Sequence, residues 1–325
     1  MAHSIFPPHP TTRHFLPDFK SLIIQGEYPP SAPIHLCLSH ISSGSPSHKP
    51  LLVSSSQMYL QSQLEEFNDA WLDEHACLGS TAENLHQIDI FYPPTHRHLR
   101  LLLGKLSTYS IPSVDADPET DHNTRLARAP TLLVLHELSR YFLSPQLSDD
   151  ADVHELQLPT ISTYMQLIID AIAMLQFFSK SGKTPTPPRL VIFDKGLHDL
   201  TLPILRPVNL ADIRKLPESH KIQATDALLR YIGWVGTVEK TYEDKNEEIA
   251  SSQDDEIEID LATQDPQKDG LGPKKTYFRM TLSKSRYANG RSSVDQEELV
   301  SEWYSYRDPY EPPFATRRRT ATVLL

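Results

Sequence analysis

The sequence predicts an α/β fold: a mostly parallel sheet with flanking helices and an antiparallel C-terminal edge. Three observations carry this. Short apolar runs alternate with segments of helical periodicity from about residue 31 to residue 193. Thr131-Leu132-Leu133-Val134-Leu135 is continuous, apolar and short, as strands buried on both faces are. After Phe193 the alternation stops, and Tyr231–Val238 and Tyr277–Leu282 follow as strands with no helical pattern between them.

Taken in order, residues 1–30 are punctuated by proline and read as an extended N-terminal arm, with one short helix around Pro17 to Ile24. Ile34–Ser39 reads as a strand, Ser42–Pro46 as a polar turn and Leu51–Ser55 as a second strand. Tyr59 to Leu72 carries apolar residues at 60, 64, 67 and 71, a helix face. Ile88–Tyr92 is then a strand, His96–Leu106 a helix, and Thr131–Leu135 the central strand. Pro159-Thr160 opens the clearest helix, with Thr160 as its N-cap. One apolar stripe runs 161, 165, 168, 172, 175 and another 167, 171, 174, 178, so burial is expected on more than one side. Leu190–Phe193 is the next buried strand. The predicted organisation is an arm over 1–30, one domain over 31–295 and a tail over 296–325.

Charge is unevenly spread. The chain carries a net −11, of which −8 falls between Glu243 and Asp260, leaving −3 for the rest. The stretch 243–274 combines this charge with few large apolar residues, so the sequence predicts a disordered acidic insertion there. Cys37 and Cys77 are too few for a disulfide framework and match no zinc spacing, which points to a reducing compartment. The first residues hold no apolar segment of signal-peptide type. The best apolar run, near Ile168–Phe178, is interrupted by Asp170 and Gln176, so no membrane partner is expected.

This order of units resembles the core of RecA-like recombinases. Ile88–Tyr92 with its following helix is similar to the family's third strand and helix. Leu133-Val134-Leu135-His136-Glu137-Leu138 is similar to the Walker B strand and its turn. Thr160–Ser179 and Leu190–Phe193 are similar to the long helix and next strand, and Tyr277 to Arg286 to the late strand that ends in a Lys-Ser-Arg turn. The likeness covers roughly residues 30–295 and is greatest to divergent paralogues, especially the small partner of the SWIM-domain protein in Shu-type DNA-repair complexes.

The resemblance implies ATP chemistry that the residues do not supply. A phosphate loop needs glycines, so that backbone N–H groups can wrap phosphate, together with Lys and Ser/Thr. After the strand expected at 34–39 the sequence reads His40-Ile41-Ser42-Ser43-Gly44-Ser45-Pro46-Ser47-His48-Lys49-Pro50, with one Gly and one Lys out of register. His136 stands at the degenerate Walker B position, where imidazole is a poor magnesium ligand, and Glu137 lies one residue on. No catalytic residue, metal ligand or cofactor is therefore expected.

Other candidates have plain readings. His96-Arg97-His98 is a solvated helix start, and Ser43-Gly44-Ser45 lacks the glycines of a nucleophile elbow. Asp194 and His198 follow a buried strand where α/β proteins place functional groups. Lys284, Arg286 and Arg291, with Tyr287 among them, alternate base and aromatic in a way that suits single-stranded nucleic acid. Asp149, Asp150, Asp152 and Glu155 would repel phosphate.

The resemblance implies a nuclear, or else cytoplasmic, non-catalytic subunit of a homologous-recombination complex. Its partners would be a SWIM-domain protein or a recombinase paralogue, together with single-stranded DNA. The alternatives are an accessory RecA-like subunit of the Elongator transfer-RNA modification complex, and an ATPase whose site is unrecognised.

Overall fold

A computed structural model describes residues 3–7, 15–43, 48–108, 126, 128–143, 159–180, 186–204, 221–242, 275–285, 298–306 and 320–323. In chain order the strands and helices are β1 (Ser21–Gly26), α1 (Ala32–Ser42), β2 (Pro50–Ser54), α2 (Gln57–Phe67), α3 (Ala70–His75), α4 (Gly79–His86), β3 (Asp89–Phe91) and α5 (His96–Thr108). There follow β4 (Leu132–His136), α6 (Arg140–Leu143), α7 (Ile161–Lys180), β5 (Arg189–Asp194), β6 (Thr201–Pro203), β7 (Lys221–Gln223) and α8 (Ala224–Leu228). The chain closes with β8 (Trp234–Tyr242), β9 (Lys275–Lys284), β10 (Glu298–Tyr306) and β11 (Thr320–Val323).

Nine strands form one sheet in the order β11-β10-β9-β8-β1-β5-β4-β2-β3. From β8 to β3 every neighbouring pair is parallel, and β8-β9-β10-β11 is an antiparallel meander. The α/β class and the antiparallel C-terminal edge are as the sequence predicts. Thr131–Leu135 matches β4, which pairs with β2 on one side and β5 on the other and is fully buried.

Side chains alternate between two cores because successive strand residues point to opposite faces. Ile23, Leu51, Val53, Leu133, Leu135, Leu190 and Ile192 pack under α5, α7 and α8. Leu22, Ile24, Leu52, Leu132, Val134, Val191 and Phe193 pack under α1, α2 and the N-terminal residues Ile5, Leu16 and Phe19. The result is a three-layer arrangement. α7 has the length and hydropathy of a membrane span, yet Ile161, Tyr164, Leu167, Ile168, Ala171, Met174, Leu175 and Phe178 are buried in the first core.

Three expectations are corrected. Residues 1–30 are not simply an arm, and Pro17–Ile24 is not a helix: Ser21–Gly26 is β1, inside the sheet between β5 and β8. Its Leu-Ile-Ile run is too short to carry a period, and burial on both faces removes the alternation that marks a strand. Ile34–Ser39 is not a strand but lies in α1, a helix buried at Ala32, Pro33, His35, Leu36, Cys37, Leu38 and His40. Such wide burial erases the amphipathic signal, although Pro at the start of the first turn was a legible start signal. The range 296–325 is not only a tail, since it contributes β10 and β11.

The helix expected over 59–72 is two helices, α2 and α3, broken at Asn68 in the left-handed region (φ 49°) and restarted by Asp69 as N-cap. The predicted insertion 243–274 lies outside the described residues.

Candidate functional site

Six parallel strands end on one rim, where α/β sheets place functional groups. β1 ends at Gly26, whose φ of +85° belongs to glycine and whose added Cβ would lie 2.2 Å from the Val238 carbonyl oxygen. This tight passage throws Tyr28 inward. Its ring is buried and meets the Phe193 ring edge-on at 5.2 Å, and its hydroxyl donates to Glu137 Oε1 at 2.5 Å.

Glu137 follows β4 in the left-handed conformation (φ 57°), an uncommon backbone for a non-glycine residue. The Phe193 carbonyl holds its N–H at 2.7 Å, and its Oε1 also accepts from the Lys195 backbone N–H at 3.3 Å. Burial raises its carboxyl pKa, against the hydrogen bonds from Tyr28 and Lys195. The Tyr28 phenol is pushed well above its ordinary value by burial and by the Glu137 charge.

Next to it, Asp194 at the end of β5 accepts from the Ser139 backbone N–H (2.7 Å), the Ser139 hydroxyl (2.5 Å) and the Gly196 backbone N–H (3.2 Å). Burial, then the charge of Glu137, raises it to about 7. His136 is buried, with Nδ1 3.0 Å from Ser54 Oγ, and burial lowers it to about 3. These bonds tie the ends of β1, β2, β4 and β5 together around the buried Tyr28 ring.

The turn from β1 into α1 is Glu27-Tyr28-Pro29-Pro30-Ser31. A phosphate at a helix N-terminus needs backbone N–H groups, and Pro29, Pro30 and Pro33 have none. The chain also supplies its own anion there. Asp69 Oδ2 accepts from Ser31 Oγ (2.5 Å) and lies 2.9 Å from His35 Nε2, while Oδ1 caps α3 through the N–H groups of Trp71 and Leu72. At this turn the Tyr28 ring fills the crevice, and the Asp69 carboxylate takes the Ser31 hydroxyl at the end of α1.

The open cleft beside it, about 320 Å3, is lined by Glu27 and Glu66 as well as Lys195 and Lys240, so its charges balance. Among the described residues no group of three or more His, Cys, Asp or Glu could hold a metal ion.

The sequence-predicted residues are distributed as follows. His136 and Glu137 stand at the end of β4, as expected. The segment His40–Pro50, read as the phosphate-loop position, runs instead from the end of α1 to β2, while the turn that follows the first strand is 27–31. Asp194 is a buried anchor, and His198 is an exposed side chain 3.1 Å from Asp199. His96 stacks on Phe142 at 5.7 Å while His98 Nδ1 meets Thr95 Oγ1 at 2.8 Å, so the two histidines are engaged separately.

Lys284 ends β9, with Nζ 5.9 Å from the centre of the Trp234 ring. Arg286, Arg291 and the acids at 149–155 lie outside the described residues. Sequence reasoning missed Tyr28, Asp69 and Ser139. The signal for Tyr28 was a glycine closing a short apolar run, followed by two prolines. Asp69 is legible locally only as the N-cap of α3; its contacts with His35 and Ser31 lie 34 and 38 residues away and leave no local mark.

Compared with known proteins, this chain matches no family model and no curated relative.

Proposed function

We propose that this chain is a non-catalytic RecA-like subunit of a nuclear homologous-recombination DNA-repair complex. In it the chain binds a SWIM-domain protein or a recombinase paralogue and contacts single-stranded DNA. The observation that carries the reading is the pairing of a sheet order with a filled crevice. The six parallel strands with an antiparallel C-terminal edge are in keeping with the RecA-like resemblance of the sequence. In that frame the β1–α1 turn falls where a nucleotide-binding member would wrap phosphate, and here it carries Tyr28-Pro29-Pro30 and the self-supplied carboxylate of Asp69. His136, engaged by Ser54 and held neutral by burial, falls at the magnesium position. A fold of this kind without nucleotide chemistry is left with assembly as its use.

Two measurements test the reading. Calorimetry with Mg-ATP is expected to show no heat of binding, and a micromolar Kd would refute the non-catalytic assignment. Capture of the tagged full chain from nuclear extract is expected to bring down a SWIM-domain protein or a recombinase paralogue. Recovery of a transfer-RNA-modifying hexamer instead would refute the repair assignment.

A further inference from the structure

Away from the Tyr28 crevice, residues 3–7 lie against the last turn of α1. The Ser4 N–H donates to Ser39 Oγ at 2.8 Å, and the His3 carbonyl accepts from the Leu16 N–H at 2.7 Å. Ile5 is buried in the second core. The His3 ring lies 5.2 Å from the ring of His40 in α1 and 5.8 Å from that of Phe19. His40 in turn stacks on His48 at 4.6 Å and 13°. All three imidazoles are at most 2% exposed.

This cluster is short of hydrogen-bond partners. His48 Nδ1 is 3.0 Å from the His40 carbonyl oxygen, and His40 Nε2 is 2.8 Å from Thr131 Oγ1. The remaining ring nitrogens, His48 Nε2 and His40 Nδ1, are buried without a partner, as are both nitrogens of His3. A neutral His3 therefore buries one donor and one acceptor that water would satisfy. A protonated His3 would bury two donors and a charge. The charges facing it are Arg189, paired with Asp18 at 2.8 Å, and the chain's amino terminus; Lys49, beside His48, is paired with Asp89 at 3.0 Å. Burial first, then Arg189, the amino terminus and His48, holds His3 at about 4, with Asp18 acting weakly the other way. Burial first, then His3, His48 and Arg189, holds His40 at about 3.

We propose that residues 3–7 are a strap that mild acid lifts from the end of α1, with His3 as the group whose protonation releases it. Lifted, His3 meets water and titrates near its ordinary 6.5. Its seated value is lower, so the strap is held most firmly above about pH 6.5 and loosens as pH falls toward about 4. From about pH 7 to about pH 5 the opening constant rises about twentyfold through His3 alone. His40, which the His3 ring partly covers, adds to that rise as it is uncovered. The event is local: it leaves the parallel strands paired and needs less free energy than unfolding of the whole chain.

The test is amide hydrogen exchange of the full chain by NMR at about pH 7 and about pH 5, each rate referred to that of an unstructured peptide at the same pH. The Ser4 and Leu16 N–H groups report on the strap, and Val134 in β4 reports on the sheet. Protection at Ser4 and Leu16 is expected to fall at least about twentyfold and to stay well below that of Val134 at both pH values. His3→Leu keeps an apolar side chain and cannot take a proton, so it should remove about twentyfold of the fall. Titration of the His3 ring in the parent, which needs no variant, should give a midpoint below 6.5. Unchanged protection at Ser4 and Leu16 would overturn the proposal, as would a full fall retained in His3→Leu. Protection at Ser4 and Leu16 equal to that of Val134 would show that residues 3–7 leave only with the whole fold. A His3 midpoint at or above 6.5 would show that the ring is not held neutral, and either result overturns the strap.

Discussion

Acid should unfold this chain earlier than its carboxylates alone would require, because three histidines are buried neutral. His3, His40 and His136 are at most 2% exposed. Burial is the largest cause in each case, and it holds them at about 4, about 3 and about 3 against an ordinary 6.5. Neighbouring cations add to it: Arg189 acts on His3 and His40, while Lys195 and Arg140 act on His136. Asp18 acts weakly the other way on His3.

Since the folded pKa values lie below the unfolded ones, their contribution to stability is complete above about pH 6.5 and is lost as pH falls toward the folded values. At about pH 5 each histidine has cost about 2 kcal/mol, so the three together cost about 6 kcal/mol. Asp194 opposes them. Its folded pKa of about 7 lies above the ordinary 3.8, so its contribution is complete at low pH and is lost as pH rises through 7. Between about pH 7.5 and about pH 5 it returns about 2 to 3 kcal/mol, and the raised carboxyl of Glu137 acts in the same direction. The histidine cost is the larger, so acid leaves a net loss on the order of 3 kcal/mol, a large share of the 5–15 kcal/mol typical of folded domains.

Urea unfolding followed by tryptophan fluorescence at several pH values reads this directly. His136→Asn, which keeps a polar partner for Ser54, should remove about one proton's share of the dependence. A urea midpoint unchanged from about pH 7.5 to about pH 5 would refute the buried-neutral assignment.

Two further outcomes follow from the rim. Gly26→Ala should cost about 3 kcal/mol, because the new Cβ meets the Val238 carbonyl at 2.2 Å and φ is +85°. Gly79→Ala, at a φ of +37° but with nothing within 4 Å, shares the backbone strain without the clash and is the matched control, and equal melting temperatures for the two would show that β1 does not pass β8 so closely. Tyr28→Phe keeps the ring but removes the donor to Glu137 and should cost about 2 kcal/mol in chemical denaturation, as loss of a hydrogen bond to a charged group does. An unaltered midpoint would mean that the Glu137 carboxyl finds solvent.

Legibility tracked how local each signal was. β4, β5 and α7 were readable because a buried parallel strand is a short apolar run and a core helix repeats every three to four residues. β1 and α1 were misread together. Each is buried nearly all round, and full burial removes the polar half of the pattern by which periods are recognised. That single error moved the turn expected after the first strand of the sheet from residues 27–31 to residues 40–50. Of the predicted DNA-contact residues Lys284, Arg286 and Arg291, only Lys284 falls among the described residues.

The sequence by itself determined the α/β class, a central strand at 131–135, the concentration of acid between 243 and 260, and the lack of a glycine-rich phosphate loop. These are properties of composition and near-neighbour order. Only the tertiary structure decided that β1 lies between β5 and β8, that Tyr28 reaches Glu137 across 109 positions, and that Asp69 closes the end of α1. The physical reason is common to all three: side chains distant in sequence meet only when crossovers carry their strands and helices to the same rim, and no local pattern encodes that meeting.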